Sequence, residues 1–282
     1  MEYKGLTKYI CPVCKSGLNK KDNVFICENN HCYDIAKQGY VNLLQSQRSS
    51  KKRHGDDKLM IQARRDFLDG GFYKPLLDDI CTAVERCAKS NTFSLLDCGC
   101  GECYYTSYIK EKFPNADIYG TDISKEALIF GAKRTKEIHL AAASSSSLPV
   151  GDNSFDVVTS IFAPVFPDEF MRVLADDGIL IRAVPLEDHL FGLKRAIYDI
   201  PYKNKTEDHF LTGFKLIENK QIKYTLKLEN TTDIMNLFKM TPYFYKTSRS
   251  DQEKIEKLET LETEIGFGVL VYKKMHKAYQ NS

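Results

Sequence analysis

Apolar positions in this 282-residue chain change their spacing at several places, and each change marks an element. From 58 to 68 they fall at Leu59, Ile61, Ala63, Phe67 and Leu68, an imperfect amphipathic helix that Gly70 and Gly71 stop. Over 74–89, Leu76, Leu77, Ile80, Ala83, Val84 and Cys87 share one side, which predicts a second helix. Short apolar runs then alternate with helical spacing. Strands are predicted over 93–97, 117–121, 138–142, 155–161 and 179–184, the fourth of them apolar enough to be buried on both faces. Ser124 can cap a helix running to Lys136. Pro167, Asp168 and Glu169 open another, because a missing N–H and negative charge both suit a first turn. A further helix is predicted over 187–199. Such alternation builds a parallel sheet with crossover helices. Past 213 the pattern becomes two strands, 221–228 and 266–273, around helices near 232–239 and 250–259. A terminal antiparallel pair is therefore expected to complete a seven-stranded sheet. No internal repeat is present.

The junction after the first of these strands carries the most chemistry. Leu95, Leu96 and Asp97 run into Cys98, Gly99, Cys100, Gly101 and Glu102, ahead of a helix. Two glycines one position apart permit a tight turn and let a ligand lie against bare backbone at the C-terminal end of a strand. A dinucleotide fingerprint wants a third glycine three residues after the second, where this chain has Tyr104. An acid at the strand end would also repel pyrophosphate. The loop therefore reads as the S-adenosylmethionine loop of a class I methyltransferase, a Rossmann-like α/β fold. Asp97 is placed for an ammonium or hydroxyl group, and Asp122, ending the second strand, for ribose hydroxyls.

Composition narrows the class further. Charged residues at 28% and hydrophobic ones at 43% describe an ordinary globular protein. With no run of eighteen apolar residues and no apolar core near Met1, neither a membrane span nor a signal peptide is expected, and the cytoplasm is the default. The net charge of +2 is uneven: residues 1–75 hold 14 Lys and Arg against 8 Asp and Glu. A basic front end suits a polyanion, although the run Arg48, Ser49, Ser50, Lys51, Lys52, Arg53 reads equally well as a solvated linker.

Nine cysteines without a secretory signal argue against a disulfide framework, and four of them crowd into the first 32 residues. Cys11 and Cys14 form a CxxC knuckle, and Cys27 and His31 follow with twelve and then three residues between. Two facing knuckles of this kind hold Zn2+ in a tetrahedron, with strand-like residues between them as in a zinc ribbon. Cys32 stands beside His31 as an alternative fourth ligand. A segment this short cannot bury a core of its own, so metal would supply its folding energy, roughly 10–16 kcal/mol of apparent binding in small fingers. Cys81, Cys87, Cys98, Cys100 and Cys103 are not spaced as knuckles and need no metal. The chain thus divides into a zinc-binding ribbon over 1–44, a basic linker and helix over 45–75, and a methyltransferase domain over 76–282.

Taken with the run Gln38-Gly39-Tyr40-Val41-Asn42-Leu43-Leu44, the knuckles and the glycine loop resemble the bacterial 23S rRNA (guanine-N1) methyltransferases. The likeness extends through Met60 to Gly70, Tyr73, Tyr104-Tyr105-Thr106, Phe162-Ala163-Pro164 and Met240-Thr241-Pro242. It implies that Cys11, Cys14, Cys27 and His31 are zinc ligands and that Gly99, Gly101 and Glu102 border the cofactor's methionine part. It further implies Asp122 at the ribose, Ser144 and Ser145 near the adenine, and Tyr73 and His189 as further cofactor contacts. The family acts on a hairpin loop of 23S rRNA and includes homodimers. This chain departs from the pattern at Cys103, where the family commonly has glycine. Read without the family, His189 is a surface histidine on a helix, Tyr73 packs across the Gly70-Gly71 turn, and Ser144 to Ser147 are a polar loop.

The resemblance implies methyl transfer to guanine N1, which needs a path for the N1 proton. Phe162-Ala163-Pro164 offers ring surface and carbonyls but no side-chain base, and Asp56, Asp57 and Glu102 are the conceivable carboxylates. Phe162 is the expected stacking partner for the base, and the ribbon and the basic 48–65 stretch are expected to grip phosphates. The Arg64-Arg65 pair reads equally as a solvated helix face or an RNA contact. Two alternatives share these features: a methyltransferase acting on tRNA or a small molecule, and a non-catalytic zinc-ribbon RNA-binding protein.

Overall fold

A computed structural model of the chain describes residues 6–45, 57–206 and 208–275. The basic run 48–53 and Asp56 lie outside the described residues. The first four strands, β1 (Leu6–Ile10), β2 (Gly17–Lys21), β3 (Val24–Ile26) and β4 (Cys32–Asp34), form an antiparallel ribbon in that order. β2 and β3 meet in a two-residue hairpin, with Lys21 opposite Val24 and Asp22 at a left-handed φ of 53°.

The next strand, β5 (Tyr40–Asn42), leaves the ribbon. It pairs in parallel with β8 (His139–Ala142) and extends the expected seven-stranded sheet to eight. Within the segment read as ribbon, 1–44, the chain thus joins the large sheet at Tyr40. Three residues are too few to show an alternating pattern, which hides this strand in the sequence.

The large sheet runs β11 (Phe214–Leu228), β12 (Leu261–Lys274), β10 (Leu174–Pro185), β9 (Phe155–Ile161), β6 (Ser94–Cys98), β7 (Asp117–Asp122), β8, β5. β12 is antiparallel to β10, and β11 to β12. The strands from β10 to β5 are parallel. Strand order reverses between β6 and β9, and ligands of open α/β sheets bind outside the carboxyl ends at such a switch point.

The helices are α1 (Lys58–Asp69), α2 (Lys74–Cys87), α3 (Tyr104–Lys112), α4 (Lys125–Arg134), α5 (Pro167–Val173), α6 (Phe191–Ile197), α7 (Thr231–Lys239) and α8 (Arg249–Glu256). Ser124 accepts a hydrogen bond from the Ala127 N–H and caps α4 as its position suggests. In α1, Met60 is buried and Leu59 is exposed, so the apolar stripe is shifted from the one read in the sequence. The helix expected over 187–199 is confined to Phe191–Ile197.

Consecutive residues of the central strands point to opposite faces. Leu95 and Val157 join one core with α2, α6 and α7, whereas Leu96 and Val158 join a second. That second core is closed largely by the ribbon. Tyr9, Leu18 and Phe25 pack there with Tyr119, Phe155 and Phe170. Tyr9 meets Tyr119 edge-on at 5.1 Å, and the Ile10 N–H donates to the Pro149 carbonyl at 2.9 Å. Among the described residues no helix is long and apolar enough to cross a membrane.

Candidate cofactor and metal sites

The ligating atoms of Cys11, Cys14, Cys27 and His31 all lie within 4.8 Å of one another. His31 Nδ1 is 3.5 Å from Cys11 Sγ and 3.4 Å from Cys27 Sγ, and Cys14 Sγ is 3.7 Å from Cys27 Sγ. A zinc tetrahedron with bonds of about 2.3 Å to sulfur and 2.0 Å to nitrogen has edges of about 3.5–3.8 Å, which these three separations match. Hydrogen bonds support the sulfurs: Ser16 Oγ is 3.0 Å from Cys14, Tyr33 Oη 3.1 Å from Cys11, and the His31 N–H donates to Cys27. Cys14 is lowered to about 5 by side-chain hydrogen bonds from Asn29 and Ser16, which favours the thiolate a metal binds. The alternative ligand Cys32 is exposed, and its thiol faces the Asn30 carbonyl.

At the carboxyl ends of the parallel strands, the glycine loop is shaped by three neighbours. The Thr121 carbonyl of β7 accepts from the Gly99 and Cys100 N–H groups. Asp122 accepts from the Gly101 and Ser124 N–H groups at 2.9 and 2.7 Å. Gly99 has φ +78°, and a β-carbon there would fall 2.5 Å from Ala163 Cβ, so the loop after β9 sits directly on the glycine. The Ala143 N–H donates to the Asp122 carbonyl, which brings Ser144 and Ser145 to the same rim.

Two acids at the loop have protein partners. Asp97 is 2% exposed and accepts from Thr106 Oγ1 and, at 2.8 Å, from Thr159 Oγ1. Burial pushes its carboxyl up to about 6 while the threonines pull it down. Its carboxylate therefore ties β6 to α3 and β9, each oxygen taking one threonine hydroxyl. Glu102 is likewise turned inward, onto the Arg134 guanidinium, which also holds Asp69.

Beyond Ala163 lies an aromatic cluster. Phe162 is 45% exposed and takes a left-handed φ of 53°, rare for a bulky residue. Its ring meets Phe267 of β12 at 5.4 Å, and Phe267 meets Tyr73 at 4.8 Å and His189 at 4.7 Å. Tyr73 and His189, distant in sequence, are thus neighbours in one wall. His189 is buried, not the surface histidine of the bare reading, and its Nδ1 accepts from the Gly266 N–H. Burial, with Lys194 nearby, lowers it to about 3. The Tyr73 hydroxyl is buried without a hydrogen-bond partner among the described residues. The open backbone of Gly101, Asp122 at the rim and this orphaned hydroxyl fit a nucleoside joined to an amino acid. Phe267 has no local signal in the sequence, since only pairing of β12 against β10 brings it here.

Cys103, where glycine was expected, does adopt the left-handed backbone, with φ 64° and ψ 29°. Its thiol occupies the space of a missing side chain on α4: a β-carbon at Gly131 would lie 2.5 Å from Cys103 Sγ.

Comparison with known proteins agrees with both halves. The zinc-ribbon family described as "RlmA, N-terminal" matches residues 9–52, and the family described as "Methyltransferase domain" matches residues 96–182. The chain is 30% identical over 238 residues to the 23S rRNA (guanine(748)-N(1))-methyltransferase of Streptomyces fradiae, covering 80% of this chain and 82% of that one. A Bacillus subtilis (strain 168) protein provisionally named 23S rRNA (guanine-N(1)-)-methyltransferase YxjB is 29% identical, covering 93% and 95%. Among solved structures, the YcgJ protein of Bacillus subtilis aligns with TM-score 0.46 at 13% identity, covering 69% of this chain and 97% of that one.

Proposed function

The chain belongs to the 23S rRNA (guanine-N1)-methyltransferase family, and from this premise we infer that it transfers a methyl group to N1 of a guanine in a hairpin loop of 23S rRNA. The single observation that carries the reading is the joining of a metal-spaced ribbon to a glycine loop at the switch point of the sheet. Bound S-adenosylmethionine supplies a sulfonium methyl that is already a good electrophile. Positioning is then the main task of the protein.

The contacts we propose are Gly99, Gly101 and the backbone of Glu102 along the methionine part, Asp122 at the ribose, and Ser144 and Ser145 at the adenine. Tyr73 and His189 close the wall opposite. Zn2+ is assigned to Cys11, Cys14, Cys27 and His31. The acceptor guanine is assigned to the outer face of Phe162, because single-stranded bases are read by stacking on aromatic rings. The strained backbone at Phe162 holds that ring outward, and such strain gathers at functional sites.

Of the carboxylates considered for the N1 proton, Glu102 is paired with Arg134 and Asp57 caps α1, accepting from the Met60 N–H and the Tyr245 hydroxyl. His189, lowered to about 3, is too weak a base. A cytoplasmic location and a homodimer belong to the same proposal, and sedimentation of the purified chain tests the second.

The deciding experiment incubates the protein with labelled S-adenosylmethionine and unmodified 23S rRNA and maps the product by primer extension. Methylation at N1 blocks Watson–Crick pairing, so one new stop in a hairpin loop is expected, and it names the nucleotide. Label in RNA without a stop would reject N1 as the acceptor. Cofactor binding with no label in this RNA would favour a tRNA or small-molecule substrate. RNA binding without cofactor binding would favour a non-catalytic protein.

A further inference from the structure

Lys194 belongs to none of the roles above, yet it is a cation that is 0% exposed. Its ammonium donates to the Tyr202 carbonyl at 3.0 Å and to Asn204 Oδ1 at 2.7 Å. The Tyr202 and Tyr243 rings cover it, with centroids at 4.4 and 5.2 Å. A buried ammonium persists where oxygen acceptors and ring faces replace its water, as they do here. What this node holds is Asn204. Its Nδ2 donates to the Leu186 carbonyl at 3.0 Å and to the His189 carbonyl at 2.9 Å, and its backbone N–H donates to the Glu187 carbonyl at 2.9 Å. The Tyr243 hydroxyl also donates to Asn204 Oδ1, at 3.2 Å. An ammonium can only donate and a backbone carbonyl only accept, so the carboxamide has one orientation in this network. Asn204 is half-buried while its neighbours Lys203 and Lys205 face solvent. Tyr243 directly follows Met240-Thr241-Pro242, a stretch of the sequence likeness that has no role at the site so far.

We propose that Asn204, clamped by Lys194 and Tyr243, is a positioning residue for the cofactor site: it fixes the backbone of His189 and so sets where the imidazole stands. This rests on the wall of Tyr73 and His189 being part of the adenosylmethionine site. Residues 186–190 link β10 to α6 outside either element, and the His189 carbonyl finds its donor in the Asn204 side chain. The ring itself is held loosely. Its Nδ1 accepts from the Gly266 N–H at a long 3.4 Å, and it meets Phe267 and Tyr73 at tilted angles, with centroids at 4.7 and 6.1 Å. Its place therefore depends on the backbone that carries it, which a partner outside the site can fix.

Calorimetry of S-adenosylhomocysteine on the full-length protein tests this through a double-mutant cycle. Asn204→Asp keeps an acceptor for Lys194 and Tyr243 but sets an oxygen against the two carbonyls. It is expected to weaken binding about 10-fold, within the coupling found inside one hydrogen-bond network. In a His189→Ala background the same substitution should weaken binding by less than about 2-fold, because the imidazole it positions is gone. Tyr243→Phe removes only the hydroxyl and keeps the ring over Lys194, and it carries the test if Asn204→Asp does not fold. Its expected loss is about 2- to 10-fold, the range of one neutral hydrogen bond, with the same dependence on His189. Equal losses in both backgrounds would overturn the assignment. So would a lower melting temperature with unchanged affinity, which marks a purely structural node. If His189→Ala alone leaves affinity unchanged, the wall is not part of the site and the proposal falls with that reading. A wild-type chain that does not bind S-adenosylhomocysteine would reject the glycine loop as the cofactor site and the proposal with it, an outcome distinct from the others.

Discussion

Phe162 and His189 show how a single residue's environment decides its use. Phe162 spends backbone strain to hold a half-exposed ring at the end of β9. Phe162→Ala is expected to lower RNA affinity about 10- to 100-fold, as loss of base stacking does, while S-adenosylhomocysteine still binds. An unchanged RNA affinity in a filter-binding assay would remove the ring from the acceptor site. His189 is neutral in the folded protein because burial lowers it from 6.5 to about 3. Below pH 6.5 the unfolded chain takes up a proton that the native state refuses. The stability it contributes is therefore complete above that pH and is lost progressively as pH falls towards 3. Relative to His189→Asn, the cofactor-free protein should lose about 2 kcal/mol between pH 7 and pH 5, read from urea midpoints. Asp97 acts in the opposite direction, since a carboxyl raised to about 6 is stabilising while protonated and loses that contribution as pH rises through 6. At this scale the glycines were legible, because only glycine leaves the needed space. The inward turn of Asp97 and Glu102 was not, because Thr159 and Arg134 lie 62 and 32 positions away.

Among the elements, α1 was read as a helix attached to a linker, yet it packs on α4 and α7 and overhangs the cofactor loop. Its N-cap is Asp57, which the sequence alone left as a conceivable base. Asp57→Ala separates the two roles. Loss of a cap costs about 1 kcal/mol and lowers the melting temperature, with cofactor affinity falling alongside as α1 frays. A base would instead show as a lower rate on RNA with melting unchanged. The parallel strands were legible from their apolar runs, whereas β11 and β12 extend well beyond the segments read. Phe214 pairs with Lys274 and Leu228 with Leu261, so both strands continue through polar residues that a periodicity search passes over. The β5 strand escaped for the reverse reason: its three residues acquire a partner only when β8 arrives.

For the whole molecule, the ribbon is one layer of the fold as well as a metal site. Tyr9, Leu18 and Phe25 cover a sheet face that would otherwise meet water, and each such side chain contributes about 1.5–3 kcal/mol when buried. Zinc removal by a chelator should therefore lower the melting temperature of the methyltransferase domain itself, not only unfold residues 6–34. Differential scanning calorimetry with metal analysis checks this. A domain that melts at its holo temperature after complete metal loss would show the ribbon to be energetically separate. A metal-spaced cluster was readable from cysteine spacing, but its task in closing the second core was not, because that depends on Tyr119, Phe155 and Phe170 in distant elements.

The pairing of Tyr40 with Leu140 also has a consequence in time. At roughly 5–20 residues per second of synthesis, the ribbon leaves the ribosome about 5–20 s before the strand it will lie beside exists. During that interval Tyr9 and Phe25 have no sheet to cover, and metal capture is what can hold the ribbon in shape. Zinc supply at the moment of translation, more than zinc affinity at equilibrium, should then decide how much of the nascent chain reaches the native fold.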